Sequence, residues 1–121
     1  MAETLFSKII NREIPADIVY EDDQSLAFKD INPQAPVHFL VIPKKQIATI
    51  NDIEPGDREL VGHLYLVAAR VAREMGVADE GYRTVMNCNE HGGQSVYHIH
   101  LHVLAGKPLG WPPYTDRPKQ V

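Results

Sequence analysis

Cysteine is nearly absent: Cys88 stands alone among 121 residues, so no disulfide can form within the chain and no four-thiolate zinc site exists. A reducing compartment, the cytoplasm, is the setting this predicts. Basic runs are missing as well. Nothing longer than Lys44-Lys45 occurs, and 12 Lys and Arg against 16 Asp and Glu leave a net charge of -4, so no nucleic-acid partner is expected. The longest apolar stretches, residues 39–43 and 64–69, fall far short of the roughly 20 residues a bilayer demands, which predicts no membrane partner. The first 11 residues carry acid early and lack the apolar stretch of a secretory signal. Repeats and low-complexity segments are absent too. What is present is ordinary for a globular chain, 44% hydrophobic and 23% charged, and the length fits a single domain over residues 1–121.

Periodicity divides the chain into elements. Residues 4–11 predict a short helix with Leu5, Phe6 and Ile9 toward one face, ended ahead of Pro15. Residues 18–20 and 26–28 read as short strands about the acidic turn Glu21-Asp22-Asp23-Gln24, and residues 38–42 as a buried strand closed by Pro43. From Pro55 onward Leu60, Leu64, Val67, Val71 and Met75 recur every three or four positions, the pattern of a long amphipathic helix with Gly76 just past its end. A strand over 82–87, a polar loop over 89–94 and a strictly alternating strand over 96–104 follow, then a proline-bearing irregular tail over 107–121. The fold class this predicts is α+β with a mainly antiparallel sheet.

Six histidines are present, and three of them alternate with apolar residues in His98-Ile99-His100-Leu101-His102-Val103-Leu104. In a strand, successive side chains point to opposite faces, so the three imidazoles line one face about 7 Å apart at each step while Ile99, Leu101 and Val103 line the core. Sheet stability asks for no such row of imidazoles. Two chemistries use it. Histidines at i and i+2 can share a metal ion, although no carboxylate lies in residues 92–107 and one such as Asp30 would have to approach from elsewhere. Alternatively a neutral imidazole attacks phosphorus, with neighbouring imidazoles stabilising the phosphate and its leaving group. The loop Gly92-Gly93-Gln94-Ser95 favours the second, since glycines let backbone N–H groups approach an anion and Ser95 adds a hydroxyl. Elsewhere the residues have plainer readings. Asp30 can cap the Asn32-Pro33 turn, Phe6, Ile9 and Phe28 have core spacing, and His63 reads as a partly exposed helix residue.

Residues 98–104 fit the pattern His-φ-His-φ-His-φ-φ, with φ hydrophobic, and 92–97 ahead of them sharpen the match. With Asp30-Ile31-Asn32-Pro33-Gln34-Ala35-Pro36, the segment 38–43 and Trp111-Pro112-Pro113, the chain resembles the histidine triad (HIT) family, in its nucleotide-binding Hint branch, over about residues 4–113. The resemblance implies a five-stranded sheet, a short N-terminal helix and one long helix, in protomers that dimerise into a larger sheet. It implies a purine nucleoside phosphoramidase that needs no cofactor or metal and gives AMP and an amine from adenosine 5′-phosphoramidates or aminoacyl- and lysyl-AMP. By that resemblance His100 is the nucleophile, His98 and His102 flank it, and His38 orients the triad. Asp30 holds the ribose, and Phe6, Ile9, Ile14, Phe28 and Ile31 form the purine slot. Asn87, Gly93, Gln94 and Ser95 meet the phosphate and leaving group. Trp111 is a dimer contact near the site. Two other readings stay open: a nucleotide-binding regulatory or scaffold protein with incidental catalysis, and a metal-binding protein built on His98, His100 and His102.

Overall fold

The computed structural model describes residues 3–113; the part of the tail beyond residue 113 lies outside the described residues. The chain opens with helix α1 (Leu5–Ile10), whose first turn is closed reciprocally: Thr4 Oγ1 accepts from the Ser7 N–H while Ser7 Oγ accepts from the Thr4 N–H. Strands β1 (Ile18–Glu21), β2 (Ser25–Lys29) and β3 (Val37–Pro43) form an antiparallel meander. The β1–β2 turn is held by Asp22, whose Oδ1 accepts from the N–H groups of Gln24 and Ser25. Helix α2 (Arg58–Glu74) follows a single 3₁₀ turn at Pro55–Asp57, so the helix proper starts three residues later than Pro55 suggests. Gly76 lies beyond its end in the left-handed region, φ +77°, the geometry that terminates a helix without steric cost.

Strand β4 (Arg83–Val85), the one-turn helix α3 (Asn89–Gly92) and strand β5 (Leu101–Ala105) complete the fold. The sheet has five strands in the order β1-β2-β3-β5-β4, every pair antiparallel. Gly106, at φ +97°, leaves β5 where an added Cβ would come within 2.8 Å of Pro36, so the strand can end this close to the start of β3 only without a side chain.

Two differences from the sequence expectation matter for the site. The polar loop 89–94 contains α3, and the alternating stretch 96–104 is a strand only from Leu101. The ladder between β3 and β5 begins at Val41↔Leu101 and has no counterpart at Pro43, which lacks an N–H to offer. Residues 94–99 are tied to the chain around residues 43–48 by other bonds: His98 Nε2 to the Pro43 carbonyl at 2.7 Å, the Ile99 N–H to the Ile47 carbonyl at 2.8 Å, and Gln94 Nε2 to the Ala48 carbonyl at 2.8 Å. His98 and His100 therefore precede the strand that carries His102.

The sheet buries both faces. On one, Phe39, Val41, Leu101 and Val103 pack with Ile47 and Ile99 against Leu64, Val67, Ala68 and Val71 of α2. Each of the larger side chains contributes about 1.5–3 kcal/mol by leaving water, Ala68 less. On the other, Leu26, Phe28, Leu40 and Ile42 pack under Phe6 and Ile9 of α1. Among the described residues no helix is long and apolar enough to cross a membrane.

Candidate active site

The register of β3 and β5 places His38 opposite Leu104 and Leu40 opposite His102, so His38 and His102 are diagonal neighbours on the face that also carries α1. Their rings lie 5.1 Å apart between centroids, with His38 Nε2 2.9 Å from His102 Nδ1. Asp30 follows β2, and its N–H donates to the His38 carbonyl at 3.0 Å. Its carboxylate divides between two tasks: Oδ1 accepts from the Asn32 N–H at 2.8 Å, capping the turn, and Oδ2 stands 3.4 Å from His38 Nε2.

The hydrogen bonds assign the tautomers. The Gln34 N–H donates to His38 Nδ1 at 3.0 Å, so a neutral His38 carries its proton on Nε2 and donates to His102 Nδ1. His102 must then hold its own proton on Nε2. His100 is set in the opposite sense: its Nδ1 donates to the His98 carbonyl at 2.8 Å, leaving Nε2 with a lone pair. His100 and His102 rings are 4.9 Å apart, with His102 on β5 and His100 just ahead of it. Burial holds all four histidines below the ordinary value of 6.5, Asp30 opposing it for His38; His102, burdened also by His100 and His38, is lowered to about 4. Burial thus favours the uncharged form of each.

His100 and His102 open onto a cavity of about 270 Å³. Phe6, Ile9, Ile14, Phe28 and Ile31 line it, with Asp30 and Ser95. Phe6 stands edge-on to His100, centroids 4.8 Å apart, and to Phe28 at 5.6 Å. The core spacing of Phe6, Ile9 and Phe28 is real, and the same residues wall the cavity. Leu5, Leu40 and Val96 also line it, and no sequence pattern separated them from plain core.

Other expected site residues stand apart from this wall. His98 is fully buried behind Phe6, Nε2 bonded to the Pro43 carbonyl and Nδ1 without a partner among the described residues. His38 is not part of the cavity wall but touches two residues that are, His102 and Asp30. Asn87 Nδ2 donates to the Gly92 carbonyl at 2.6 Å. The N–H groups of Gly93 and Gln94, expected as part of a phosphate cradle, donate to the Glu90 and Asn89 carbonyls at 3.0 Å each. The Gln94 side chain is buried and bonded to main chain at both ends. His63 has more company than its helix position suggests: Nε2 lies 2.7 Å from Asp22 Oδ2, tying α2 to the β1–β2 turn.

Metal-ligating atoms converge as well, though not on the expected set. Asp30, His38 and His102, rather than His98, His100 and His102, bring one ligand atom each within 4.8 Å of one another. A cation there would have to take the lone pair by which His102 accepts from His38 and displace the proton on His38 Nε2, which the Gln34 N–H holds in place.

Known proteins match this chain along most of its length. The HIT domain family model matches residues 11–109. A purine nucleoside phosphoramidase of Escherichia coli (strain K12) is 56% identical over 108 residues, 89% of this chain and 91% of that protein. An uncharacterized HIT-like protein of Synechocystis is 57% identical over 114 residues, 93% of this chain and 99% of that one. The crystal structure of a HIT family hydrolase from Legionella pneumophila superposes with a TM-score of 0.90 at 53% identity, covering 92% of this chain and 99% of that chain. A histidine triad protein from Clostridium difficile gives 0.87 at 46% identity, covering 91% and 97%. With the paired histidines on β3 and β5 and these matches along nearly its whole length, the chain belongs to the HIT family.

Proposed function

We propose that this protein hydrolyses purine nucleoside phosphoramidates, cleaving the P–N bond of an adenosine 5′-phosphoramidate or aminoacyl-AMP to give AMP and an amine. The observation that carries the reading is the bond from His100 Nδ1 to the His98 carbonyl, which leaves an uncharged, unprotonated Nε2 beside the cavity. Such a nitrogen attacks phosphorus, forming a nucleotidyl-histidine as the P–N bond breaks; the departing amine takes a proton from solvent, and the water that hydrolyses the intermediate returns one. Ser95, at the cavity's edge, supplies a hydroxyl to the departing nitrogen. Water then attacks the same phosphorus, releasing AMP and returning His100 to its starting state. The intermediate exchanges one P–N bond for another, so it stays reactive.

His102 presents an N–H to a phosphate oxygen, its direction set through His38 and the Gln34 amide. One such donor contributes about 3–4 kcal/mol where charge develops in a dry site. Asp30 holds the ribose hydroxyls, and Phe6, Ile9, Ile14, Phe28 and Ile31 enclose the purine. The identity with the Escherichia coli purine nucleoside phosphoramidase supports this substrate class. A homodimer and a cytoplasmic setting belong to the same reading. The dimer is supported by β4, an edge strand of the sheet, and by Tyr65 and Leu66 of α2, which are 48% and 70% exposed.

The test is hydrolysis of a fluorogenic tryptamine phosphoramidate of AMP, with and without chelator, by wild type and His100→Gly. The reading expects chelator-insensitive turnover, lost in the variant while AMP still binds. AMP binding without turnover would make this a nucleotide-binding protein, and loss on chelation would move the chemistry to Asp30, His38 and His102.

A further inference from the structure

The loop before the histidines is held by one side chain. Gln94 Oε1 accepts from the Asn89 N–H at 2.8 Å, and Gln94 Nε2 donates to the carbonyls of Ala48 at 2.8 Å and Val96 at 3.0 Å. Both amide protons of Nε2 are engaged, and Gln94 is only 7% exposed. The three partners belong to three separate stretches: the segment after β3, the start of α3, and the residue two places before His98.

Around it the backbone turns sharply at two residues with positive φ. Asn89 has φ +58°, a left-handed position that asparagine tolerates better than most residues, and Gly93 closes α3 at φ +79°. Gln94 bonds to Asn89 twice, through its own N–H to the Asn89 carbonyl and through Oε1 to the Asn89 N–H. The chain is thereby pinned on both sides of Ser95, at Asn89 before it and at Val96 after it.

We propose that Gln94 is a positioning residue, whose amide fixes Ser95 against His100 rather than touching the phosphate itself. The inference rests on the phosphoramidase reading and gives Gln94 a role within it. An amide saturated by main-chain partners has no proton left for a ligand, whereas misplacing a reacting group by an ångström costs about 100-fold in rate. Removing the amide should therefore lower kcat and spare nucleotide binding.

The experiment measures kcat, KM and AMP affinity for wild type, Gln94→Ala, Ser95→Ala and the double variant, using AMP phosphoramidates of a poor alkylamine and a better arylamine leaving group. Expected are a kcat roughly 10- to 100-fold lower in Gln94→Ala with AMP affinity within about twofold of wild type, and a larger loss for the alkylamine. In the Ser95→Ala background the further loss on removing Gln94 should shrink to less than about threefold, the non-additivity of groups acting as a unit. Should Gln94→Ala fold poorly, Gln94→Glu takes its place. Its protonated carboxyl can donate to one of the two carbonyls, so its activity relative to wild type should recover as pH falls from 8 toward 5. AMP affinity falling in step with kcat, or additive losses with Ser95→Ala, overturns the inference alone. A wild type without turnover overturns the phosphoramidase reading and the inference with it.

Discussion

On the α2 side of the sheet, Phe39, Val41, Leu101 and Val103 are sealed from solvent by side chains that attract without direction. On the α1 side, His38 and His100 are nearly as buried, at 7% and 4% exposed, yet each is held by hydrogen bonds that have a donor end and an acceptor end. The first face needs volume and apolarity, and tolerates many residues that supply both. The second needs a particular atom at a particular end, so a substitution that keeps size and burial can still ruin it. Apolar core lies on both faces, whereas the chemistry is gathered on the α1 side alone.

Breaking the first face should cost the most. Phe39→Ala is expected to destabilise the fold by about 3–5 kcal/mol in denaturant titration; a loss under about 1 kcal/mol would show that this face is not the principal core. Breaking the second should separate rate from stability. His38→Asn, which no longer sets the tautomer of His102, is expected to lower kcat by roughly 100-fold while the thermal midpoint moves only a few degrees. Equal loss of AMP affinity would count against the orienting role.

Acid sharpens the comparison, because the α1 side carries imidazoles whereas Phe39, Val41, Leu101 and Val103 on the other carry no group that titrates. The folded value of His102, about 4, lies below its ordinary 6.5, so the unfolded chain takes up the proton first as pH falls. Stability should be fully present above about 6.5 and drain away between there and about 4, and the loss should be smaller in His102→Asn. By the same burial, the acid limb of kcat/KM should fall below the ordinary histidine value. Midpoints that stay level from pH 7 to 4.5 would contradict the assignment. The smallest effect is expected at His63. Asp22 is burdened by burial, but its bonds from His63, Gln24, Ser25 and Tyr20 outweigh that and hold its carboxyl well below the usual range. His63→Ala removes one bond among several, so about 1 kcal/mol should be lost with turnover unchanged.

Where each element could be read from the chain follows from the same physics. Helix α2 was legible because Leu64, Val67 and Val71 repeat with a helical period, and β3 because Phe39 to Ile42 form one apolar run. The cavity-lining Phe6, Ile9, Ile14, Phe28, Asp30 and Ile31 were legible through resemblance, their spacing alone marking core or a turn cap. Alternation misled at residues 96–100, since a period of two reports side-chain burial and not ladder bonds, and Pro43 withholds the partner a ladder needs. The bonds that assign tautomers were invisible for another reason. They end on the Gln34 amide and the carbonyls of His98 and Pro43, main-chain groups that, the N–H of proline aside, every residue type carries alike.

That last point bears on what the cavity will accept. The chain of donors that runs through His38 to His102 starts at a peptide N–H, and a peptide N–H does not give up its proton at any pH the fold survives. Its polarity cannot be reversed, so the cavity floor carries a fixed sign pattern: a donor at His102 beside a lone pair at His100. Any inhibitor must match it, with an acceptor over the first and an electrophilic or hydrogen-bearing atom over the second. The same molecule turned end for end would meet two mismatches at once.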